Sequence, residues 1–334
     1  MIFIDNEGIT DPRINLALEE YALRNFGSDD DYLLFYINEP SIIIGRNQNT
    51  VEEINDEYVR KNGIHVVRRI SGGGAVYHDL GNLNFSFITE HKKENLNNFL
   101  KFNEPVLQIL SEMGVPAEMS GRNDILANGR KISGNAQFST GKRMFSHGTL
   151  LYCSDLDEVT NALNVKMSKI QSKGHKSVRS RVANIIEFIE NKSMPVSEFR
   201  RRILDGLYQQ RETFETYTLS EEEWSSVYEL RDNKYGSWDW NFGESPKFNI
   251  QRTRRFPAGE VDLRLDVQKG HIENLTIFGD FFGQQPVKEL EELLKGVRYD
   301  PEDLRASLQS VKTKEYFGEI EKEDILSLIY GDDE

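Results

Sequence analysis

The chain has 334 residues, of which 38% are hydrophobic, 29% charged and 10% aromatic, and its formal net charge is −14. That length holds a substantial core and divides into a large and a small domain. The acidic balance argues against non-specific nucleic-acid binding, no apolar run reaches span length, and the N-terminal MIFIDNEG has no signal-peptide pattern, so a cytoplasmic protein with neither nucleic-acid nor membrane partners is expected. The single cysteine, Cys153, excludes an internal disulfide and a thiolate metal cluster.

In chain order, Asp11 and Pro12 supply the cap and first turn of a helix with Ile14, Ala17, Leu18, Tyr21 and Ala22 at helical spacing. The runs 33-LLFYI-37 and 41-SIIIG-45 read as strands either side of a turn at Pro40. Thr50 and Glu53 form a capping box that opens a second helix, with Val51, Ile54 and Tyr58 on one face and Gly63 closing it. A strand, 65-HVVRRI-70, then runs into three consecutive glycines, and 83-LNFSFI-88 leaves them.

The next clear element is a hairpin over 123-NDILANGRKISGNAQ-137, turned by Asn128-Gly129. Simple alternation puts Lys131, Ser133 and Asn135 on one face and Ile132 on the other. A strand at 148-GTLLY-152 precedes helical and basic segments. One of these, 166-KMSKIQSKGHKSVRSR-181, carries four lysines, two arginines and no acid, a patch suited to phosphate or an acidic partner. The aromatic, glycine-rich 235-YGSWDWNFGESP-246 marks a boundary. Beyond it Val261, Leu263, Leu265 and Val267 alternate with polar residues, 272-IENLTIF-278 follows, and helical patterns lie around 287–295, 302–309 and 323–330, together a small α+β domain.

The segment 68-RRISGGGAVYHDLGN-82 is the part most suggestive of chemistry. It matches neither the P-loop, which needs Lys-Ser/Thr after its second glycine, nor the dinucleotide fingerprint, which needs glycine where Tyr77 stands. Consecutive glycines are useful where backbone N–H groups meet an anion closely. Arg68 and Arg69 before the turn, and His78 and Asp79 after it, exceed what a plain surface turn requires. Lys131, fixed in a tight hairpin beside Ser133, Gly134, Asn135 and Ala136, offers a directed ammonium with room for a ligand; the ordinary alternative is an exposed strand lysine. His147-Gly148-Thr149 presents another compact polar group.

Taken in order, RRxSGGGAVxHDxGN (Arg68–Asn82), RNDxxxxxRKxSGxA (Arg122–Ala136), HGTLL (His147–Leu151) and KSVRSRVxN (Lys176–Asn184) resemble the lipoate–protein ligase family. The resemblance extends to 45-GRNQN-49 and 238-WDWNFG-243 and covers essentially the whole chain. It implies an α+β fold: a large mixed-sheet catalytic domain of the biotin/lipoate ligase kind over residues 1–246 and a small α+β accessory domain over 247–334. It also implies activation of lipoate by ATP, with Mg2+ bound to the substrate, and transfer of the lipoyl group to a lysine of carrier domains, the 2-oxoacid dehydrogenase E2 subunits or the glycine-cleavage H protein.

By the same resemblance, Lys131 is the essential lysine between lipoyl carbonyl and phosphate, and Arg69 holds the α-phosphate and activated carboxylate. Gly74, Ala75, Val76 and Tyr77 contact the nucleotide, while Ser71, Gly72, Gly73, His78 and His147 face lipoate; for His78, orienting the phosphate or the carboxylate stands beside a structural hydrogen bond to the glycine loop. Asp124 is a candidate for magnesium or nucleotide contact, with capping of the hairpin as its other role. The segment holding Arg179 and Arg181 closes over the nucleotide or meets the acceptor. The apolar lipoyl tail needs a slot, for which 41-SIIIG-45 and 65-HVVRR-69 are candidates, although they are core residues in any fold.

Three rivals share parts of this pattern. Some acyl transferases working without ATP use a cysteine nucleophile, but the apolar strand setting expected for Cys153 offers no adjacent base or helix N-terminus. A biotin ligase would carry a glycine-arginine loop absent here. A noncatalytic lipoyl or nucleotide sensor would keep the glycine turn and lose Lys131 or its surroundings.

Overall fold

The computed structural model describes residues 1–27, 29–163, 181–208, 215–242, 250–268 and 270–330. The basic stretch up to residue 180, with Arg179, and the expected boundary at residue 246 lie outside the described residues. Internal contacts divide the chain into two units. One comprises Met1–Ile44, Val51–Arg69 and Ala75–Asn241; the other comprises Gly45–Thr50, Ile70–Gly74 and Phe242–Glu334.

The elements up to Asn241 begin with β1 (Ile2–Ile4), α1 (Pro12–Asn25), β2 (Tyr32–Ile37), β3 (Ser41–Ile44), α2 (Thr50–Glu53), α3 (Asp56–Lys61), β4 (His65–Arg68), β5 (Val76–His78) and β6 (Asn82–Glu90). There follow α4 (Phe99–Glu112), β7 (Ala117–Ser120), β8 (Asp124–Ala127), β9 (Arg130–Ser139), β10 (Arg143–Leu151) and α5 (Leu156–Ala162). The last are α6 (Val196–Tyr208), β11 (Thr216–Tyr217), α7 (Glu221–Leu230) and α8 (Trp238–Asn241). Eight strands form a mixed sheet in the order β11-β1-β2-β6-β10-β9-β8-β7, and β4-β3-β5 form a separate three-stranded sheet. The two strands around Pro40 therefore belong to different sheets.

Alternation along the large sheet sorts its side chains. Leu33 and Phe35 of β2, Leu83, Phe85 and Phe87 of β6 and Leu150 of β10 join Phe102, Val106, Phe199 and Ile203 of α4 and α6 in one core. The opposite face carries Leu34, Ser86 and His147 in one row and Tyr36, Asn84 and Thr149 in the next, as the pairings of β2, β6 and β10 require. Helix α1 touches β4, β6 and β10 on one side and α7 on the other. That double covering buries Asn15, Glu19, Glu20 and Leu23 beyond the expected apolar stripe, while Ile14 and Tyr21 stay half-exposed.

Two expectations need correction. The helix expected over 50–63 is two short pieces, because Ile54 bridges to Leu163 and Asn55 recaps the chain by accepting the Tyr58 N–H. Helix α4 arises where no element was assigned. Its buried Phe99, Phe102, Val106, Ile109 and Leu110 follow helical spacing despite Pro105 in the interior.

In the second unit, β12 (Ile250–Phe256), β13 (Gly259–Gln268) and β14 (His271–Gly279) make an antiparallel sheet, with α9 (Lys288–Leu294), α10 (Pro301–Ser307), α11 (Thr313–Phe317) and α12 (Lys322–Tyr330). Val261, Leu263 and Leu265 are wholly buried in its core, as their alternation predicts. The glycine turn packs within this unit. The Arg46 N–H donates to the Ser71 carbonyl at 2.9 Å and the Gly279 N–H to the Asn47 carbonyl at 2.6 Å.

Candidate active site

A bulge in the hairpin decides where Lys131 points. Asn128 and Gly129 turn it with φ of 49° and 74°, the left-handed pair that Asn-Gly favours. Ile125 opposes Ser133 while Leu126 opposes Lys131, leaving Ile132 as the extra residue. Ile132 and Ser133 are both fully buried, and Ile132 joins the core with Ile125. Lys131 is thereby on the other face from Ser133 and Asn135, together with Asp124 and Gly134 opposite it, and with Ala136, whose partner is His147. Alternation without the bulge had grouped Lys131 with Ser133 and Asn135; the inserted residue reverses that phase.

The room beside Lys131 is also accounted for. A Cβ at Gly134 would sit 2.9 Å from the Lys131 Nζ, so this glycine lets the lysine side chain cross the strand. Nζ pairs with Asp124 Oδ1 at 2.8 Å, with the two side chains 34% and 29% exposed. Thr149 accepts the Gly134 N–H at 3.2 Å, and Val182, next to Arg181, bridges to Lys131. Asp124 thus sits against the lysine.

His78 ends a chain of buried amides. Asn6 donates to Asn15 Oδ1 at 3.0 Å, Asn15 donates to Asn38 Oδ1 at 2.9 Å, and Asn38 Nδ2 donates to His78 Nδ1 at 3.0 Å. With Nδ1 accepting, the ring hydrogen belongs on Nε2, which finds no partner among the described residues. Burial, then the charges of Arg69 and His147, lowers the His78 pKa to about 3, so the imidazole is neutral.

Arg69 is buried and donates to the Ile43 carbonyl at 3.1 Å. Burial lowers its pKa to about 10, against the opposing influence of Tyr36 and Glu19, so it stays a cation at neutral pH. Burial, then Glu19, pushes the Tyr36 hydroxyl well above its usual range. His147 Nδ1 lies 3.0 Å from Glu19 Oε1, both buried, and its ring is 4.5 Å from that of Phe145. Arg69, His78, His147 and Glu19 thus form one buried polar group above the face that also carries Lys131.

The other flagged residues have these surroundings. The Arg68 guanidinium donates to the carbonyls of Trp240 and Asn241, which leaves Arg69 as the arginine of the polar group. Asp79 accepts the N–H groups of Gly81 and Asp155 at 2.9 and 2.7 Å. Gly72 is required because a Cβ would meet the Phe281 carbonyl oxygen at 2.6 Å, and Gly73 has φ of 93°. A Cβ at Gly74 would meet nothing within 4 Å, and the residue has no left-handed φ. Ser71 is fully buried and Ala75 and Val76 are half-buried. The Tyr77 hydroxyl is pushed upward by burial and by the charges of Asp79, Glu158 and Asp155. Ile42, Ile43, Ile44 and Val67 are core. Cys153 is exposed beyond the end of β10 and not in an apolar strand, with its thiol raised by partial burial and by Asp79, a poor setting for a nucleophile.

The fold is a mixed-sheet domain with a small α+β C-terminal unit, and its buried polar group sets the Arg69 cation among two imidazoles and a carboxylate. Residues 11–208 match the family model of the lipoyl protein ligase A/B catalytic domain, and residues 245–329 match that of the bacterial lipoate protein ligase C-terminus. The chain is 55% identical to lipoate-protein ligase LplJ of Bacillus subtilis, over 99% of this chain and 100% of that protein. It is 50% identical to lipoate–protein ligase 1 of Staphylococcus aureus, over 98% and 100%. The chain belongs to the lipoate–protein ligase family. Among solved structures, a lipoate-protein ligase A bound with ATP is 33% identical with a TM-score of 0.60, covering 70% of this chain and 94% of that one. A bipartite lipoate protein ligase of Thermoplasma acidophilum, described with its E2 lipoyl domain, is 33% identical with a TM-score of 0.64, covering 75% and 98%.

Proposed function

We propose that the sheet face bearing Lys131, with Arg69 and His78 beside it, is where this chain makes lipoyl-AMP and passes the lipoyl group to a carrier lysine. The chain is an ATP-dependent lipoate–protein ligase. The observation that carries the residue assignment is the bulge at Ile132, which brings the Lys131 ammonium onto the face of His147 and Thr149. A carboxylate resists attack by an amine, so it is first joined to AMP. A lipoate oxygen attacks the α-phosphorus, the bond to the bridging oxygen breaks, and pyrophosphate leaves.

Lys131 and Arg69 offset the charge that builds on the phosphoryl and carboxyl oxygens in that step, and neutral His78 donates its Nε2 hydrogen to the acid. The carrier lysine's uncharged amine then attacks the acyl carbon, AMP departs with the electron pair of the broken acyl–oxygen bond, the nitrogen loses one proton to solvent, and an amide remains. Lys131 stabilises charge throughout and does not become acylated. His147, tied to Glu19, borders the lipoyl group, and Gly74–Tyr77 approach the nucleotide, Tyr77 through its main chain. Packing explains the identity of Gly72 and a left-handed φ that of Gly73, but neither explains Gly74, whose missing side chain is assigned to the nucleotide.

Mg2+ bound to ATP would neutralise its phosphates, and Asp124 on the Lys131 face is the carboxylate that would hold it. The carriers are the lipoyl domains of 2-oxoacid dehydrogenase E2 subunits and the glycine-cleavage H protein, and the place of action is the cytoplasm. Among the described residues no helix is long and apolar enough to cross a membrane. Lipoate-dependent exchange of labelled pyrophosphate into ATP tests the first step, and intact-mass analysis of a carrier domain tests the second. No exchange with folded protein would refute the proposal.

A further inference from the structure

Strand β4 is the edge of its sheet and ends at Arg68, shortly before the glycine run. An edge strand leaves alternate N–H and C=O groups without ladder partners. At its end the inward amide of Arg69 donates to the Ile44 carbonyl at 2.9 Å. The outward groups of Arg68 are met by side chains of α8. Its N–H donates to Asn241 Oδ1 at 2.8 Å, and its carbonyl accepts from Trp240 Nε1 at 2.8 Å. The Arg68 guanidinium turns back to donate to the carbonyls of Trp240 at 2.9 Å and Asn241 at 3.3 Å.

The side chains that do this are themselves held. Asn241 Nδ2 donates to the carbonyls of Tyr235 at 2.7 Å and Ser237 at 3.0 Å. The Lys234 ammonium lies 4.2 Å from the centre of the Trp240 ring and pairs with Glu20 of α1 at 2.7 Å. A tie that served the fold alone could be apolar. This one brings a cation into the interior and engages donor, acceptor and guanidinium of one residue, immediately before the arginine assigned to the acyl phosphate.

We propose that Arg68, Trp240 and Asn241 are positioning residues of the adenylation step: they lock the backbone at the end of β4 and so aim the Arg69 guanidinium. The inference rests on the reading of Arg69 given under the proposed function. Trp240→Phe removes the indole donor and keeps a ring under Lys234. It lowers kcat for pyrophosphate exchange about tenfold, with KM for lipoate within about twofold, because displacement of a charge-stabilising group is felt in the transition state.

The deciding experiment is a cycle of Trp240→Phe, Arg69→Ala and the double variant, each shown to be folded by circular dichroism. If the clamp acts through Arg69, the double variant is no slower than Arg69→Ala alone. Independent losses that multiply, or unchanged exchange in Trp240→Phe, overturn the clamp while leaving Arg69 in place. Unchanged exchange in Arg69→Ala overturns the underlying reading instead. Should Trp240→Phe not fold, Asn241→Ser takes its place in the cycle with the same outcomes.

Discussion

Lys131 and Ser133 stand two residues apart in β9 and lie on opposite faces of the sheet, because Ile132 between them is a bulge. One inserted residue thus sends Ser133 into the core and the lysine toward the side of His147. Strand bulges commonly re-aim a side chain next to an active site. Lys131→Met is expected to lower pyrophosphate exchange by about a hundredfold or more, as removal of a charge-stabilising donor does. The fold is expected to survive, since a partly exposed ion pair such as Lys131–Asp124 contributes only about 0–1 kcal/mol. Exchange kinetics and a thermal melt on one sample check both halves.

His78 makes stability depend on pH in a defined direction. Its pKa is 6.5 in an unperturbed chain and about 3 in the fold. Between those values the unfolded state binds more protons, so stability falls as pH falls, by up to about 1.4 kcal/mol per pH unit from this group. His78→Gln removes that contribution, and its stability declines less steeply on acidification. Urea unfolding of both proteins at roughly pH 5 and pH 7 measures the difference.

The amide chain behind His78 predicts a cost at a distance from any ligand. Asn38→Leu removes the partner of His78 Nδ1 and one of the two acceptors of the Asn15 amide, which keeps its bond to the Ile9 carbonyl. Leaving a buried polar group unpaired costs about 1–3 kcal/mol. A lowered thermal midpoint is expected together with weaker lipoate binding, because the ring loses the bond that fixes its tautomer. A variant as stable as the parent would show that the chain is dispensable.

Two glycines of one turn separate packing from ligand contact. Gly72→Ala drives a methyl against the Phe281 carbonyl oxygen, 2.6 Å from the Cβ position, and is expected to lower the melting temperature. Gly74→Ala meets open space, so it is expected to leave stability unchanged and to raise KM for ATP. Melting curves and ATP titrations of the two proteins distinguish these effects.

The sequence exposes local features well and long-range ones poorly. The Asn-Gly hairpin and the Asp11-Pro12 helix start are chemically determined within a few residues, and both form where their motifs stand. The bulge was hidden because 130-RKISGNAQ-137 alternates plausibly in either phase, and only its pairing with Ile125 and Leu126 decides between them. Arg68 and Arg69 look equivalent in the motif. Partners about 170 residues away, in the WDWN segment, separate a clamped arginine from one in the polar group. The chain Asn6–Asn15–Asn38–His78 leaves no spacing signature, because its members come from a loop, a helix, a strand end and another strand. Glu19 was missed for a related reason: a carboxylate on a helix reads as solvated until the structure buries it against His147.

A crystal structure of the protein with a nonhydrolysable lipoyl-adenylate analogue tests the central claim most directly. The account predicts the Lys131 Nζ and the Arg69 guanidinium within hydrogen-bond distance of the oxygens at the acyl–phosphate junction, with His78 Nε2 donating to the same group. An analogue bound elsewhere, with Lys131 still committed to Asp124 alone, would contradict it.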